Sequence, residues 1–205
     1  MIAVVLAQEQ QWDDLINIQA DIQWIRATLP FSFSAYKDAA AFFILQPAEL
    51  IDYSQTNRPV FLNSVTVTLK EMHAPENILR INGWPGFLQR PLWEIAGHMT
   101  AETSGIIKKL NRVPVITADE PGLVAARIIA MIINEAFFAL GDEVSDKAAI
   151  DTAMKLGTNY PFGPFEWAAK IGLQNIYTLL LKLSTVDKRY VPAPALEKEI
   201  YLTSQ

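Results

Sequence analysis

The hydrophobic and polar positions of the first eighty residues predict short buried strands separated by polar connections. Continuous apolar runs of this length are typical of strands buried on both faces of a parallel sheet. Five such strands are expected, at residues 2–7, 22–27, 42–45, 60–62 and 78–81. Apolar residues at roughly helical spacing also predict helices over residues 8–18 and 35–41. This alternation indicates an α/β domain with a largely parallel sheet.

The pattern changes to a helical one after residue 118. Two acids followed by Pro121 predict the start of a helix over residues 121–140, because acids suit the positive end of a helix and proline loses nothing at its first position. After the first turn, its only polar residues are Arg127, Asn134 and Glu135. A helix that is apolar nearly all round has to be covered on nearly all sides.

Further helices are expected in the rest of this half. One runs from the predicted N-cap Ser145 to Gly157, one from Pro164 to Gly172, one over residues 173–183, and a short one ends the chain. The sequence therefore predicts two domains. They are an α/β domain over residues 1–117 and an all-α domain over residues 118–205.

Composition narrows the class of protein. Half of the 205 residues are hydrophobic, which indicates a globular chain. The net charge of −5 gives no electrostatic reason to expect a nucleic acid or an anionic membrane as partner. The chain has no cysteine, so disulfides and thiol catalysis are excluded and a cytoplasmic location is expected. The apolar run at the N-terminus is too short for a signal peptide and has no basic residues before it.

Three blocks of the helical half carry a resemblance to a known family. They read P-G-L-V-A-A-R from Pro121, I-N-E-A from Ile133, and I-D-T-A-M-K-L-G-T-N-Y-P-F-G-P-F-E from Ile150. In content and spacing they resemble the C-terminal helical domain of the 3-hydroxyacyl-CoA dehydrogenases. The resemblance implies a Rossmann domain followed by a helical dimerisation domain, and hence a homodimer. Because the first domain, residues 1–117, is short beside the family's, we expect a reduced Rossmann-like parallel sheet with missing strands or helices. Members of the family use NAD to oxidise the 3-hydroxyl group of an acyl-CoA.

The loop after the first strand lacks the glycines that a dinucleotide needs. These glycines make the tight turn, admit the pyrophosphate and pack the helix on the strand. Here residues 7–11 read A-Q-E-Q-Q, Glu9 adds a negative charge, and the first glycine of the chain is Gly83. The second strand leads to Arg26, where the family has an acid for the ribose. We therefore expect no cofactor and a sheet kept for folding and packing. The alternative is that NAD binds in an unconventional way.

The resemblance also locates the positions of the catalytic pair. Aligning residues 91–95 (P-L-W-E-I) with the corresponding family strand places Glu94 on the family's glutamate and Asn82, twelve residues earlier, on its catalytic histidine. Asparagine cannot accept a proton near neutral pH. Glu94 is thus a remnant that should face water or pair with Arg90 or His98. The alternative is that His98 is a displaced base paired with Glu94.

The remaining candidate positions are expected to be structural. His73 lies in a polar connection and is expected to be a solvated loop residue. Ala126 stands where the family has an active-site asparagine. Trp84, Phe87 and Trp93 either fill a small core or line a pocket for a pantetheine or acyl chain, and the core is favoured.

These observations predict a member of the family that is catalytically silent. It would act as a structural or regulatory partner, or bind an acyl-CoA-like small molecule, and neither a nucleic acid nor a membrane is expected. The alternative is an active NAD-dependent 3-hydroxyacyl-CoA oxidoreductase that holds its cofactor unconventionally and uses His98 as its base.

Overall fold

A computed structural model describes residues 1–46 and 51–203 of the chain. The chain divides into two compact units, Met1–Leu123 and Val124–Gln205, which we call the α/β unit and the helical unit. The sequence placed the domain boundary six residues earlier, after residue 117. Among the described residues, no helix combines the length and the apolar character needed to cross a membrane.

The α/β unit is built on one seven-stranded sheet, in the order β2-β1-β3-β4-β5-β6-β7. Its strands are β1 (Ile2–Leu6), β2 (Gln23–Arg26), β3 (Ala41–Ile44), β4 (Val60–Asn63), β5 (Ile78–Ile81), β6 (Leu92–Ala96) and β7 (Val113–Ile116). Strands β1 to β5 are parallel, β6 is antiparallel to β5, and β7 is parallel to β6. The five predicted strands are confirmed. The sequence did not predict β7, which contains Pro114 and lies at the edge, where a missing backbone N–H is tolerated.

The sheet has one strand fewer beyond β1 than the doubly wound dinucleotide-binding order, although it contains seven strands in the described part of the chain. The doubly wound order 3-2-1-4-5-6 places two strands beyond β1, whereas here only β2 lies there. This agrees with the predicted loss of elements from the first domain. The chain changes direction between β1 and β3, so the topological switch point lies at the carboxyl ends of these two strands.

The two faces of the sheet are covered differently. Helices α1 (Glu9–Ile16) and α2 (Ala101–Lys109) both pack on one face, where Leu15 and Ile106 join the core cluster that contains Phe43. The described part of the other face is covered by loops and short 3-10 turns. Aromatic side chains from these loops form its core with Phe42.

The helix predicted over residues 35–41 is wrong. Residues Phe33–Ala35 form one 3-10 turn, and β3 already begins at Ala41. Phe33 inserts towards the sheet and packs edge-on against Phe42, with 4.8 Å between ring centroids. Phe31 packs on Phe33 in turn, at 4.9 Å. These aromatic side chains reach the face of the sheet from a loop. Their packing determines the conformation here, in place of the local helical pattern.

The helical unit contains five α-helices in its described part. They are α3 (Ala125–Gly141), α4 (Lys147–Thr158), α5 (Pro164–Ile171), α6 (Leu173–Ser184) and α7 (Pro194–Thr203). The order and approximate bounds agree with the sequence prediction. The predicted N-cap Ser145 is wrong by one residue, because the Asp146 carboxylate accepts from the Ala149 N–H. Gly157 lies inside α4, and the left-handed residue that ends this helix is Asn159.

Two buried polar side chains organise the helical unit. The Asn134 amide of α3 donates to the Val191 carbonyl at 2.9 Å and accepts from the Ala193 N–H at 2.8 Å, which fixes the chain before α7. The Asp151 carboxylate of α4 accepts from the backbone N–H groups of Phe165 and Glu166, so one helix caps the next. Each residue satisfies backbone groups that would otherwise be buried without partners.

The predicted helix start at Pro121 is also wrong, because Asp119 has other partners. Its carboxylate accepts from the backbone N–H groups of Leu69 and Lys70 at 3.0 Å each, and from Arg80 Nη1 at 2.5 Å. Arg80 is fully buried and also donates to the backbone carbonyls of residues 64 and 65. Asp119 therefore fixes a loop and neutralises a buried guanidinium, and α3 begins only at residue 125.

We predict that Asp119→Ala destabilises the α/β unit by about 3 kcal/mol at pH 7, because Arg80 is left buried without its counter-ion. Burial raises the pKa of Asp119, but the Leu69 N–H, Arg80 and the Lys70 N–H outweigh it and lower the pKa overall. A lowered folded pKa gives stability that is present above the unfolded value of about 3.9 and is lost as the pH falls below it. Urea titrations from pH 3 to pH 7 measure both effects.

In the same titrations, Asp119→Asn is the matched control. It keeps one acceptor oxygen and should lose less stability than the alanine variant. If Asp119→Ala unfolds at the same urea concentration as the wild type at pH 7, the ion pair does not stabilise the fold.

Candidate functional site at the carboxyl edge of the sheet

The first turn of α1 carries the carboxylate of Glu9. In a phosphate-binding loop, the backbone N–H groups at this end of the helix are accessible to the phosphate. Glu9 Oε2 lies 2.8 Å from Arg26 Nη2 at the end of β2, and the Arg26 guanidinium lies 5.4 Å from the centre of the Trp12 ring. The hydrogen bond and the charge of Arg26 lower the pKa of Glu9. Helix N-termini attract anions, and here the chain supplies its own.

Gln11 follows in the same turn of α1 and is buried, with 4% of its surface exposed. Its Nε2 donates to the Leu45 carbonyl at 3.0 Å and to the Gly83 carbonyl at 2.7 Å. Its Oε1 accepts from the Gln8 N–H at 3.3 Å. One side chain thus connects the start of α1, the residue after β3 and the segment after β5.

Asn63 at the end of β4 makes a similar connection. Its Nδ2 donates to the Leu45 carbonyl at 2.9 Å, and its Oδ1 accepts from the Gly83 N–H at 3.0 Å. A Cβ atom at Gly83 would lie 2.8 Å from the Asn63 side chain. We call Gln11 and Asn63, with the backbone of Leu45 and Gly83, the amide cluster. It joins the carboxyl ends of β3, β4 and β5 to α1.

A buried acid extends this connection along α1. Asp14 is 3% exposed, and its two carboxylate oxygens accept from the Gly86 N–H at 3.0 Å and from Gln89 Nε2 at 2.6 Å. The segment between β5 and β6 is therefore fixed on α1 by hydrogen bonds as well as by packing.

The residues at this edge do not fit the pyrophosphate of a dinucleotide. Such a group needs backbone N–H groups at a helix N-terminus and no side chains between them and the phosphate. The Gln11 side chain lies at the start of the helix, where its Oε1 accepts from the Gln8 N–H. Glu9 in the same turn adds a negative charge, and its largely exposed side chain is paired with Arg26. The described residues also contain no group of three or more His, Asp or Glu residues that could hold a metal ion.

The two predicted catalytic positions lie on neighbouring elements. The antiparallel register pairs Arg80 with Ala96 and Ile81 with Ile95 and ends there; Asn82 is the first residue after β5, and Glu94 lies in β6 next to Ile95. Asn82 is 7% exposed, and its Oδ1 accepts from the Trp84 N–H at 3.3 Å. An amide at this position can donate a hydrogen bond to a ligand but cannot take its proton.

His98 lies away from this pair. It follows the end of β6, and the preceding residue, Gly97, approaches the carbonyl of Ile78 at the start of β5. Asn82 comes directly after the other end of β5, so the length of that strand, about 13 Å, separates the two positions. The structure therefore does not place His98 beside Asn82 or next to Glu94.

Glu94 acts electrostatically on Arg90, one of its two expected partners. Burial lowers the pKa of Arg90, and the nearby charge of Glu94 opposes that shift. The Arg90 guanidinium also lies 4.4 Å from the centre of the Phe87 ring. The negative charge of Glu94 thus lies near the positive charge of Arg90, in the loop directly before β6.

The other candidate residues have structural positions. His73 lies in the loop between β4 and β5, and Ala126 is buried in α3. Trp84, Phe87 and Trp93 are each at most 5% exposed. They fill the core of the α/β unit, and the Trp93 indole N–H donates to the Leu88 carbonyl.

The sequence placed Gln11 in the loop whose side chains stand where a phosphate would bind, but it did not indicate the partners of Gln11. It missed Asp14, Asn63 and Arg80 as organising residues. The signal that could have found Asn63 is its place directly after a predicted strand, because the carboxyl ends of parallel strands meet at one edge. The partners of Asp14 and Arg80 are distant in sequence, up to 75 residues for Asp14, and no local pattern indicates them.

Comparison with known proteins identifies the relatives of the helical unit. A model of the 3-hydroxyacyl-CoA dehydrogenase C-terminal domain matches residues 122–202. The 3-hydroxyadipyl-CoA dehydrogenase of Escherichia coli K12 is 46% identical over 89 residues, covering 42% of this chain and 19% of that protein. The 3-hydroxybutyryl-CoA dehydrogenase of Clostridioides difficile is 31% identical over 145 residues, covering 67% of this chain and 52% of that protein. The chain thus spans between a fifth and about half of the length of these two relatives.

Solved structures extend the likeness to the whole fold. The (S)-3-hydroxybutyryl-CoA dehydrogenase of Ralstonia eutropha superposes with a TM-score of 0.72 at 18% identity, covering 98% of this chain and 93% of that one. FadB2 of M. tuberculosis gives 0.77 at 13% identity with the same coverage. At these identities the likeness shows the fold, a Rossmann-like sheet followed by a helical domain.

We predict that Gly83→Ala destabilises the protein by about 1–3 kcal/mol, because the new methyl group overlaps the Asn63 side chain and forces the amide cluster apart. Gly105→Ala is the matched control. Gly105 lies inside α2, and a Cβ atom added there would have no neighbouring atom within 4 Å, so this variant should gain up to about 1 kcal/mol. Chemical denaturation measures both variants, and equal stabilities would contradict the role given to Gly83.

Proposed function

This chain belongs to the 3-hydroxyacyl-CoA dehydrogenase family, and we propose that it is a catalytically silent member. The observation that carries this proposal is the Glu9–Arg26 ion pair at the N-terminal turn of α1. The carboxylate of Glu9 would repel a pyrophosphate at this helix end, and its partner Arg26 keeps it ionised by lowering its pKa. The doubly wound fold is kept here without the features that bind a dinucleotide.

The position of the proton acceptor supports the same proposal. The position aligned with the family's catalytic histidine is Asn82, directly after β5, and Glu94 lies in the neighbouring strand β6. Oxidation of a 3-hydroxyl group needs a base within hydrogen-bond reach of that proton. Asn82 can only orient a ligand, and His98 lies beyond the opposite end of β5. The alternative, in which His98 serves as the base, therefore has no support from the geometry.

The activity that we propose for the protein is binding. The relatives act on 3-hydroxyacyl-CoA compounds, as their names state, and we expect this chain to bind an acyl-CoA-like thioester or a protein partner. In either case the protein would influence acyl-CoA metabolism without transferring a hydride. We keep the cytoplasm as the expected compartment.

We also propose that the helical unit forms a homodimer. In α4 only Asp151 is buried, although the helix contains Ile150, Met154 and Leu156. In α3, one face is buried within the unit, while the apolar side chains of Ile128 and Phe138 are 51% and 37% exposed, and Val124, directly before the helix, is 49% exposed. Several exposed apolar side chains on one unit are typical of an interface, and a second copy of the same unit would cover them on both subunits at once.

The test of catalytic silence is a titration with NADH followed by its fluorescence. We predict no saturable binding of NADH at micromolar concentrations and no reduction of acetoacetyl-CoA. The N-terminus of α1 does not fit the pyrophosphate of the cofactor, and Asn82 cannot act as a base. A full-length 3-hydroxybutyryl-CoA dehydrogenase is the positive control in both assays. Binding of acetoacetyl-CoA alone, measured by calorimetry, tests the acyl-CoA ligand.

Two results would contradict catalytic silence. One is saturable NADH binding, and the other is turnover that is lost in His98→Ala or Glu94→Gln. Turnover that remains unchanged in both variants would in addition remove these residues from the site.

The dimer is tested by light scattering coupled to size exclusion. We predict a mass near twice 22.9 kDa for the wild type and a monomer for Ile128→Glu, because a charge in the centre of an apolar interface is costly. Val67→Glu is the matched control, since Val67 is similarly exposed at 42% in a loop of the α/β unit. A monomeric wild type would contradict the proposal.

A further inference from the structure

We propose that Gln11 is an internal substitute for a bound ligand, whose amide occupies the switch point of the sheet and closes the α/β unit without a cofactor. This inference rests on the proposed absence of dinucleotide binding. It goes further, because it assigns the place of the ligand to a named side chain of the chain itself.

Two backbone carbonyl groups at the switch point of the sheet need hydrogen-bond donors. The carbonyl oxygens of Leu45 and Gly83 lie at the carboxyl ends of β3 and β5, in a region where both residues are almost fully buried. Buried carbonyl groups have to accept hydrogen bonds. In open α/β sheets this is the crevice into which a ligand binds.

The side-chain amide of Gln11 supplies donors to both carbonyl groups. A primary amide has two N–H donors, and both are used here, on Leu45 at 3.0 Å and on Gly83 at 2.7 Å. The amide oxygen accepts from the Gln8 N–H, so the side chain is held in place from its own helix. An amide in this position is therefore fully satisfied and satisfies its surroundings, as a bound ligand would.

Asn63 and Asp14 hold the backbone around the Gln11 amide in place. Asn63 donates to the same Leu45 carbonyl and accepts from the Gly83 N–H, and Asp14 holds residues 86 and 89 on α1. These contacts fix the segment after β5 against the helix. The crevice is occupied by side chains of the chain itself, and a dinucleotide would have to displace Gln11 to enter.

The test compares Gln11→Met with Gln10→Met by chemical denaturation. Methionine keeps the volume of glutamine but donates no hydrogen bond. Leu45 keeps its second donor from Asn63, so the loss falls on the Gly83 carbonyl and on the Gln8 N–H. We expect the unfolding equilibrium constant to rise about 5- to 30-fold for Gln11→Met. Gln10 is exposed on the same helix, so Gln10→Met should change it less than about twofold.

A second variant separates the hydrogen bond from the packing. Gln11→Glu has the shape of the wild type, but its carboxylate directs negative charge at two carbonyl oxygens. Its pKa should be raised, so stability is present at low pH and is lost as the pH rises through that pKa. The ratio of the unfolding constants of Gln11→Glu and Gln11→Met should therefore fall between pH 7 and pH 5.

The outcomes distinguish this inference from the proposed function. Equal unfolding constants for Gln11→Met and Gln10→Met would contradict the proposal that Gln11 substitutes for a ligand. A ratio of the Gln11→Glu and Gln11→Met unfolding constants that does not change with pH would contradict it as well. Saturable NADH binding by the wild type would instead overturn catalytic silence, and it would do so whatever the stability of the variants.

Discussion

The carbonyl oxygens of Leu45 and Gly83, buried at the carboxyl ends of parallel strands, set the constraint on which the α/β unit depends. Parallel strands bring such groups to one edge, where they need either a ligand or donors from the protein. Gln11 and Asn63 supply these donors at 2.7–3.0 Å. Once they do, α1 and the segment after β5 are fixed against each other.

The same physical device recurs through the chain. A buried polar side chain reaches from one element to the backbone of another that is distant in sequence. Arg80 and Asp119 fix the loop after β4, Asn134 fixes the chain before α7, and Asp151 caps α5. Apolar burial provides most of the driving force for folding, but it is not directional. These hydrogen bonds determine which loops lie on which strands, so a reduced sheet has a defined structure even where loops cover one of its faces.

Sequence reasoning recovered most of the elements, because their signals are local. The apolar runs predicted β1 to β5, and the glycines and prolines after residue 157 predicted the bounds of α5 and α6 closely. The errors have long-range causes. Residues 35–41 are drawn into a loop by aromatic packing on the sheet, and Asp119, a convincing helix-capping acid, is bound by Leu69, Lys70 and Arg80 instead.

The family features that the candidate site lacks can be read from the sequence, whereas the hydrogen bonds that organise the site cannot. The lack of glycine before residue 83 and the asparagine at position 82 are visible in the sequence, because the family pattern states what is expected there. The position of Gln11 in the loop after the first strand is visible as well, but its partners are not, since they lie 34 and 72 residues away. A long-range contact of this kind needs the folded sheet.

The most direct measurement is of the Gln11 side-chain amide itself, by NMR with increasing NAD. If the amide occupies the ligand's place, its two N–H protons exchange slowly with water in the free protein, and their chemical shifts do not change at millimolar NAD. Rapid exchange in the free protein, or a saturable shift of these protons with NAD, would show that the switch point is open to a cofactor and would contradict the central claim.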